Sequence, residues 1–148
     1  MVRSRNFYAT RHFYFGETTP YTLGLECPWR IRKDTRIVVG SEDYSEPAEG
    51  NSDPAWEPGM PEGHLQDQKL AELFGELKAG AVLNAGAEFV VETAEVDGCG
   101  GIRVGLGRDY VHEAFPTSSK SMEWIFRSPD RPSLVLMNGV VNRCEPSR

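Results

Sequence analysis

The sequence has no long hydrophobic run and no closely spaced cysteine pair. Its longest stretches without a charge are short and contain Gly or Asn, which excludes a transmembrane helix. Residues 1–15 carry three arginines among aromatic residues and lack the continuous apolar stretch of a signal peptide. The three cysteines, Cys27, Cys99 and Cys144, are an odd number without CxxC spacing, which favours free thiols packed as small hydrophobic residues. We therefore predict a cytoplasmic protein.

Motifs of catalysis and cofactor binding are also missing. The histidines, His12, His64 and His112, are far apart and form no HExxH motif, so no metal site is predicted. The glycines of 98–105 precede an alternating strand pattern and not a helix, which favours a hairpin turn over a phosphate-binding loop. The hydroxyl residues of 117–121 lack the SxxK spacing of a nucleophile. We predict no catalytic residue and no cofactor.

Lysine and arginine are absent from 41–63, and this gap is the strongest charge signal in the chain. The segment holds seven acidic residues, so its charge of −7 exceeds the net charge of the whole chain, −6. It also holds four of the ten prolines, which favours a long loop without regular structure. Tyr44 and Trp56 lie within it, where a plain linker carries neither, and the interpretations of Trp56 as a core plug and as a partner anchor stay equally open.

Two similar hairpins are what the sequence does contain. In the first, Trp29 opens a strand that turns at 33–35 into 36–40; in the second, Trp124 opens one that turns at 128–132 into 133–139. Other segments alternate apolar and polar residues with period two, as half-buried strands do. We predict an α+β fold: about eight mostly antiparallel strands in a strongly twisted sheet, with the two Trp hairpins as related halves, packed on one amphipathic helix.

One helix is predicted over 62–78, where Leu70, Leu73, Phe74 and Leu77 form an apolar stripe. Gly75 would lie in its interior and Gly80 would stop it. Between Val111 and Glu113, His112 is predicted to face solvent, opposite the apolar residues of its strand. The chain is predicted to form a single domain, 1–148, with a loop at 41–63 and a flexible tail at 142–148.

The chain resembles a family of small bacterial, mainly actinobacterial, proteins. The first shared element is a Leu-x-Leu strand, Leu23 to Leu25, that runs into Pro28-Trp29-Arg30 and then into the Gly-Ser-x-Asp element of 40–43. The second is the Phe-Pro of 115–116, followed by a Ser pair and by Glu123-Trp124. The resemblance implies a bacterial cytosolic domain and assigns no catalytic residue. By analogy, some small α+β proteins of this style act as immunity proteins that bind a toxin.

We expect a non-catalytic protein-binding domain of this immunity-like kind, and an enzyme is the less favoured class. The predicted surface is the acidic loop, with aromatic anchors and with carboxylates that steer a basic protein partner. Its residues are Glu42, Asp43, Tyr44, Trp56 and Glu57. An acidic isoelectric point near 5.1 argues against nucleic acid as the partner, and no membrane partner is expected.

An alternative hypothesis is a small enzyme or ligand-binding protein with a pocket between the helix and the sheet. His64, Cys27 and Arg30 would then be the groups inside it. A third is a structural or oligomeric module with exposed strand edges. The sequence does not determine the oligomeric state.

Overall fold

The computed structural model describes residues 2–7, 10–16, 20–75, 77–78, 81–82 and 88–145. Within these ranges the chain forms thirteen strands, one α-helix and one short 3-10 helix. The strands are β1 (Val2–Phe7), β2 (Thr10–Phe15), β3 (Tyr21–Leu25), β4 (Trp29–Lys33), β5 (Arg36–Gly40), β6 (Leu77–Lys78), β7 (Ala81–Val82), β8 (Thr93–Val96), β9 (Ile102–Gly107), β10 (Tyr110–Ala114), β11 (Met122–Arg127), β12 (Ser133–Met137) and β13 (Val140–Cys144). The helices are the 3-10 helix Ser41–Ser45 and α1 (Leu65–Phe74).

Most strands belong to two antiparallel sheets. The six-stranded sheet has the order β1-β2-β3-β11-β12-β13, and the five-stranded sheet has the order β5-β4-β10-β9-β8, while β6 and β7 form a separate pair. The predicted α+β class, with antiparallel strands and one amphipathic helix, is confirmed. The strands are divided between two layers, and one hydrophobic core runs through both of them and the helix. No helix in the described part of the chain has the length and apolar character needed to cross a membrane.

Both Trp hairpins form, and each lies in a different sheet. β4 and β5 pair in the five-stranded sheet, whereas β11 and β12 pair in the six-stranded one. Trp29 and Trp124 are both buried in the common core. The edge-to-face packing of Phe13 from β2 on Trp29 from β4, with ring centroids 5.1 Å apart, shows that the two sheets pack face to face.

The chain passes between the sheets twice, at two neighbouring crossings. The first runs through 26–28, where Pro28 interrupts the ladder, and the second runs through 115–121. The backbone N–H of Phe115 donates to the carbonyl of Pro28 at 2.8 Å. The buried carboxylate of Glu123 accepts hydrogen bonds from the backbone N–H groups of Thr117 and Ser118, at 3.2 and 2.7 Å. This carboxylate therefore holds the second crossing in place.

His112 is not at the surface, contrary to the sequence-based prediction. Its side chain is 1% exposed and packs between Phe13 and Trp29, with ring centroids at 4.2 and 5.7 Å. Val111 and Glu113, its chain neighbours, lie on the outer face of the sheet instead. Burial lowers the pKa of His112 to about 3, because a charged imidazole would lose its hydration there. The imidazole is therefore neutral at physiological pH.

The helix is shorter than the predicted 62–78 at both ends. The Nδ1 atom of His64 accepts a hydrogen bond from the backbone N–H of Asp67 at 3.2 Å, so His64 caps the N-terminus. Gly75 has φ +83° and its N–H donates to the carbonyl of Ala71, so it ends the helix and does not lie in its interior. Leu77 consequently belongs to β6. The predicted stop at Gly80 lies outside the described residues.

The predicted tail begins in regular structure. Residues 142–144 belong to β13, which pairs along its whole length with β12 as the edge strand of the six-stranded sheet. Every residue of β13 is exposed. Residues 146–148 lie outside the described part of the chain.

Candidate functional site

An open cavity of about 430 Å³ lies between the two sheets, and we call it the cleft. The six-stranded sheet supplies one wall, and β8, β9 and the segment before β8 supply the other. The lining is almost entirely aliphatic and aromatic. It consists of Phe15, Tyr21, Leu23, Trp124, Phe126 and Leu134 on the first wall and of Val91, Ala94, Glu95, Val96, Ile102 and Val104 on the second.

Strand register explains why both walls are apolar. Phe126 pairs with Leu23 on one side and with Leu134 on the other, and directly paired residues of antiparallel strands share a face. On the second wall, Ala94 pairs with Val104. Since successive side chains alternate between faces, Arg103 of β9 lies on the outer face of the five-stranded sheet, and of the charged residues of β8 and β9 only Glu95 contributes to the cleft lining.

The cleft is closed at its floor and open at its mouth. Trp124 at the floor is 1% exposed, whereas Tyr21 and Val96 at the mouth are 43% and 51% exposed. The indole N–H of Trp124 donates to the carbonyl of Gly100 at 2.7 Å, so its polar atom is already satisfied. The ring of Tyr21 stacks on that of Phe126, with centroids 5.9 Å apart and planes 8° from parallel. The mouth therefore presents a flat aromatic surface to solvent.

The chemistry available in the cleft is that of binding. Among the residues that the structure describes, the lining includes no histidine, cysteine, serine or threonine, and its one carboxylate residue, Glu95, lies on the strand that forms the rim. General acid–base or nucleophilic catalysis requires such groups near the reacting atoms. These walls can remove apolar surface of a ligand from water, and this burial is favourable by about 25 cal/mol of transfer free energy per Å².

The acidic loop, 41–63, is the second region of interest, and it is closed at its neck by backbone pairing. The N–H of Leu65 donates to the carbonyl of Glu46 at 2.8 Å, and that of Ala48 donates to the carbonyl of Gly63 at 2.9 Å. Pro47 and His64 form an isolated antiparallel bridge between these two bonds. The sequence predicted no regular structure here, but the loop begins with the 3-10 helix of Ser41–Ser45.

The two predicted anchors, Tyr44 and Trp56, hold the loop to itself. The Trp56 indole N–H donates to the carbonyl of Glu62 at 3.0 Å, and the Tyr44 hydroxyl donates to the carbonyl of Gly59 at 3.3 Å. The Tyr44 ring packs on His64, with centroids 4.5 Å apart. Both aromatic side chains are half-buried. Trp56 is therefore neither a plug in the hydrophobic core nor a fully exposed anchor.

The predicted steering carboxylates occupy two different environments. Asp43 is half-buried and accepts a hydrogen bond from the backbone N–H of Gly40 at 2.8 Å, so it caps the 3-10 helix. Glu42 and Glu57 are exposed, as are the other four acidic residues of the loop. The structure thus brings the five predicted partner-binding residues into one loop, and their role in binding stays a prediction.

The three residues of the alternative hypothesis do not converge. His64 caps the helix, and burial, with help from Glu123, raises the pKa of the Cys27 thiol to about 12. Arg30 lies on the outer face of the five-stranded sheet, where its Nε is 2.7 Å from the Glu113 carboxylate. The large cavity lies between the two sheets, whereas that hypothesis placed it between the helix and a sheet.

A small cavity of about 140 Å³ does lie beside the helix, and Cys27 lines it, but His64 and Arg30 do not, and its Arg11 and Gln66 side chains bond to each other. The buried Arg11 guanidinium donates to Gln66 Oε1 at 2.6 Å and lies 2.6 Å from the Asp67 carboxylate. The Gln66 amide in turn donates to the carbonyls of Gly40 and Ser41, at 3.0 and 3.2 Å. This network fastens β2 to α1 and to the end of β5, which is a structural role.

Comparisons with protein-family models, with curated protein sequences and with solved structures gave no match to this chain. The site must therefore be understood from its own residues. Sequence reasoning missed the cleft because Phe126, Leu134 and Val96 follow the alternation of ordinary core strands. No sequence signal pointed to it, because the placement of the two Trp hairpins in two facing sheets depends on long-range strand pairing.

Proposed function

We propose that this domain binds a small apolar molecule in the cleft. The observation that carries the proposal is a cavity of about 430 Å³ whose walls are almost wholly apolar and whose mouth exposes Tyr21 and Val96. Small-molecule sites are typically concave, mostly apolar and about 300–1,000 Å³ in volume. Interiors of folded proteins otherwise contain few voids larger than a water molecule, so an opening of this size in the core needs an occupant.

The dimensions favour a small molecule over a protein segment. A helix with its side chains is about 10–12 Å across, which is as wide as the usual separation of about 10 Å between packed sheets. The cleft lies within that separation and is closed at its floor by Trp124. Because the described part of the lining offers no acid, base or nucleophile in a catalytic arrangement, we infer that binding, without chemistry, is its role.

A fluorescent probe tests this proposal. N-phenyl-1-naphthylamine is neutral and apolar, and its emission rises in apolar surroundings, so the wild-type protein should enhance it with saturation. Ala94→Trp places an indole in the cleft and should weaken probe binding by at least about tenfold. Thr93→Trp is the matched control, because Thr93 is the neighbouring residue on the outer face, and it should leave the affinity unchanged. Equal affinities of these two variants would overturn the proposal.

Protein binding by the acidic loop is the second candidate, in the bacterial cytosolic setting that the resemblance implies. The specific observation in its favour is that six of the seven carboxylates are exposed on a loop closed by its own hydrogen bonds. A pre-ordered surface loses little entropy on binding, and its charge would steer a basic partner. Basic bacterial toxin domains, measured against the wild type and a Glu42→Gln/Glu57→Gln variant, form a suitable panel. Binding that weakens with salt and in the variant supports this candidate, and affinities insensitive to both would count against it.

A further inference from the structure

A second hollow, of about 400 Å³, continues from the mouth of the cleft. The two share the side chains of Tyr21, Phe126 and Leu134, so the same aromatic surface forms the end of one and the beginning of the other. Beyond these residues the lining changes from apolar to cationic. The second hollow adds Ser128, Arg131, Pro132 and Arg143. A molecule leaving the cleft through its mouth would therefore meet two guanidinium groups.

Strand register places one of these arginines on the cleft side of the sheet. Arg143 of β13 pairs with Leu134 of β12, which in turn pairs with Phe126 of β11. Paired residues share a face, so the row that begins with the apolar wall ends in a positive charge. A residue of the opposite face, such as Cys144, would have been the ordinary place for a solvated group on this edge strand.

Neither arginine forms a close ion pair within the described part of the chain. No carboxylate there lies within 4.0 Å of the Arg131 or Arg143 side chain. Asp130, the nearest acidic neighbour in sequence, accepts a hydrogen bond from the Ser128 hydroxyl at 2.7 Å, and this bond, together with the charge of Arg131, lowers the pKa of Asp130. The Asp130 carboxylate nevertheless lies beyond ion-pair distance of Arg131. By contrast, Arg11, Arg30 and Arg32 all have carboxylate partners. The two arginines of the second hollow are therefore available to an anion from outside.

We propose that the ligand of the cleft is an amphipathic anion: a single apolar chain with a carboxylate or similar anionic head. The chain would lie between the sheets, and the head would lie across Tyr21 and Phe126 within reach of Arg131 and Arg143. Guanidinium groups bind carboxylates through parallel, charge-assisted hydrogen bonds, which are stronger than neutral ones. This inference rests on the proposed function, because it names the chemical class of the same ligand.

Displacement of N-phenyl-1-naphthylamine by three ten-carbon amphiphiles tests the head group. Decanoate, decanol and decyltrimethylammonium carry nearly the same chain with a negative, neutral or positive head. Decanoate should displace the probe at a concentration at least about tenfold lower than decanol. Charge-assisted hydrogen bonds to its head group should strengthen binding by more than that factor. Decyltrimethylammonium should be the weakest. The advantage of decanoate should shrink as salt is raised.

The variant Arg131→Gln/Arg143→Gln identifies the groups responsible. It should lower the affinity for decanoate to that for decanol and leave decanol unchanged. Arg103→Gln/Arg108→Gln, which removes two exposed arginines of the other sheet, is the matched control and should keep the preference. Equal displacement by decanoate and decanol, with no change in the double variant, would overturn the anionic head while the cleft proposal stands. Failure of the probe itself to bind the wild type would overturn both.

Discussion

The acidic loop and the space between the sheets differ in how far the folded chain already satisfies or buries their side chains. In the loop, the polar atoms of the two aromatic side chains donate to loop carbonyls, and the neck is closed by backbone bonds. Between the sheets, the apolar walls of the cleft stay open to solvent at the mouth. A buried Nε2 atom without a hydrogen-bond partner occurs in both regions of the described structure, in His112 of the core and in His64 at the neck of the loop, where Nε2 lies 3.2 Å from the Asp67 carboxylate. The aromatic side chains of the loop therefore use their polar atoms within the loop, whereas the apolar walls of the cleft leave room for a ligand.

This difference changes where function is sought. Charge and aromatic residues made the loop the more conspicuous region in the sequence. A binding site, however, needs surface that the folded chain leaves accessible, because a ligand gains free energy by burying apolar area or by pairing polar groups there. Variants in the core, in the loop and at the mouth of the cleft test this difference.

The largest expected effect concerns His112 and pH. Its pKa is near 6.5 in the unfolded chain and about 3 in the folded one, so between these values only the unfolded chain binds the proton. The free energy of unfolding should therefore fall as the pH falls from 6.5 to 3, by at most about 1.4 kcal/mol per pH unit. Above pH 6.5 His112 is neutral in both the folded and the unfolded chain, so the free energy of unfolding no longer depends on its protonation.

The variant His112→Leu should remove that pH dependence and also the unpartnered nitrogen. Urea unfolding of both proteins across pH 3–8 measures it. Burial also lowers the pKa values of His12 and His64, but these groups are shared, so the difference between the two curves isolates His112. Identical pH dependence of the two proteins would show that the interior tolerates a charge there.

The next effect tests the closure of the loop at Gly63. This residue has φ +77°, and a Cβ would lie 3.0 Å from Asn51 Nδ2 and 3.2 Å from Trp56 Cδ1. Gly63→Ala adds both backbone strain and this crowding, and should cost about 2 kcal/mol in the free energy of unfolding. Gly59→Ala is matched to it: φ is +91°, but a Cβ there has no neighbour within 4 Å. Chemical denaturation should show the smaller loss for Gly59→Ala, and equal losses would mean that the Trp56 contact contributes nothing.

The smallest change in stability is expected at the mouth of the cleft. Val96→Thr keeps the shape of the side chain and, at a half-exposed site, should alter the free energy of unfolding by no more than about 0.5 kcal/mol. It should nevertheless weaken binding of N-phenyl-1-naphthylamine, because a hydroxyl is desolvated when the ligand enters. Val140→Thr on β13, which is similarly exposed, is the control for both measurements. If both variants bind the probe equally well, the mouth takes no part in binding.

Features that depend on neighbours in sequence were predictable here, and features that depend on distant partners were not. Each Trp hairpin joins adjacent strands, so alternation and turn residues predicted both correctly. The division into two sheets depends on the pairing of Leu25 with Trp124, which no local pattern encodes. The prediction that His112 faces solvent was wrong for the same reason, because the Phe13 and Trp29 side chains that cover it come from other strands.

The candidate site shows the same limit. Composition predicted the acidic loop and its two aromatic residues. It could not predict that Tyr44 and Trp56 donate hydrogen bonds to loop carbonyls, because this depends on where the folded loop places Gly59 and Glu62. The cleft was out of reach altogether. It is a volume left between two layers, and its lining residues have the same alternation as a filled core.

The two indole N–H signals of Trp124 and Trp56 in a ¹H–¹⁵N correlation spectrum compare the two regions in one experiment. Trp124 lies at the floor of the cleft, and Trp56 lies in the acidic loop. On titration with decanoate, we expect the Trp124 signal to shift with saturation while the Trp56 signal stays in place. A saturable shift of the Trp56 signal with an unmoved Trp124 signal would contradict the account, since decanoate would then bind at the loop and not in the cleft.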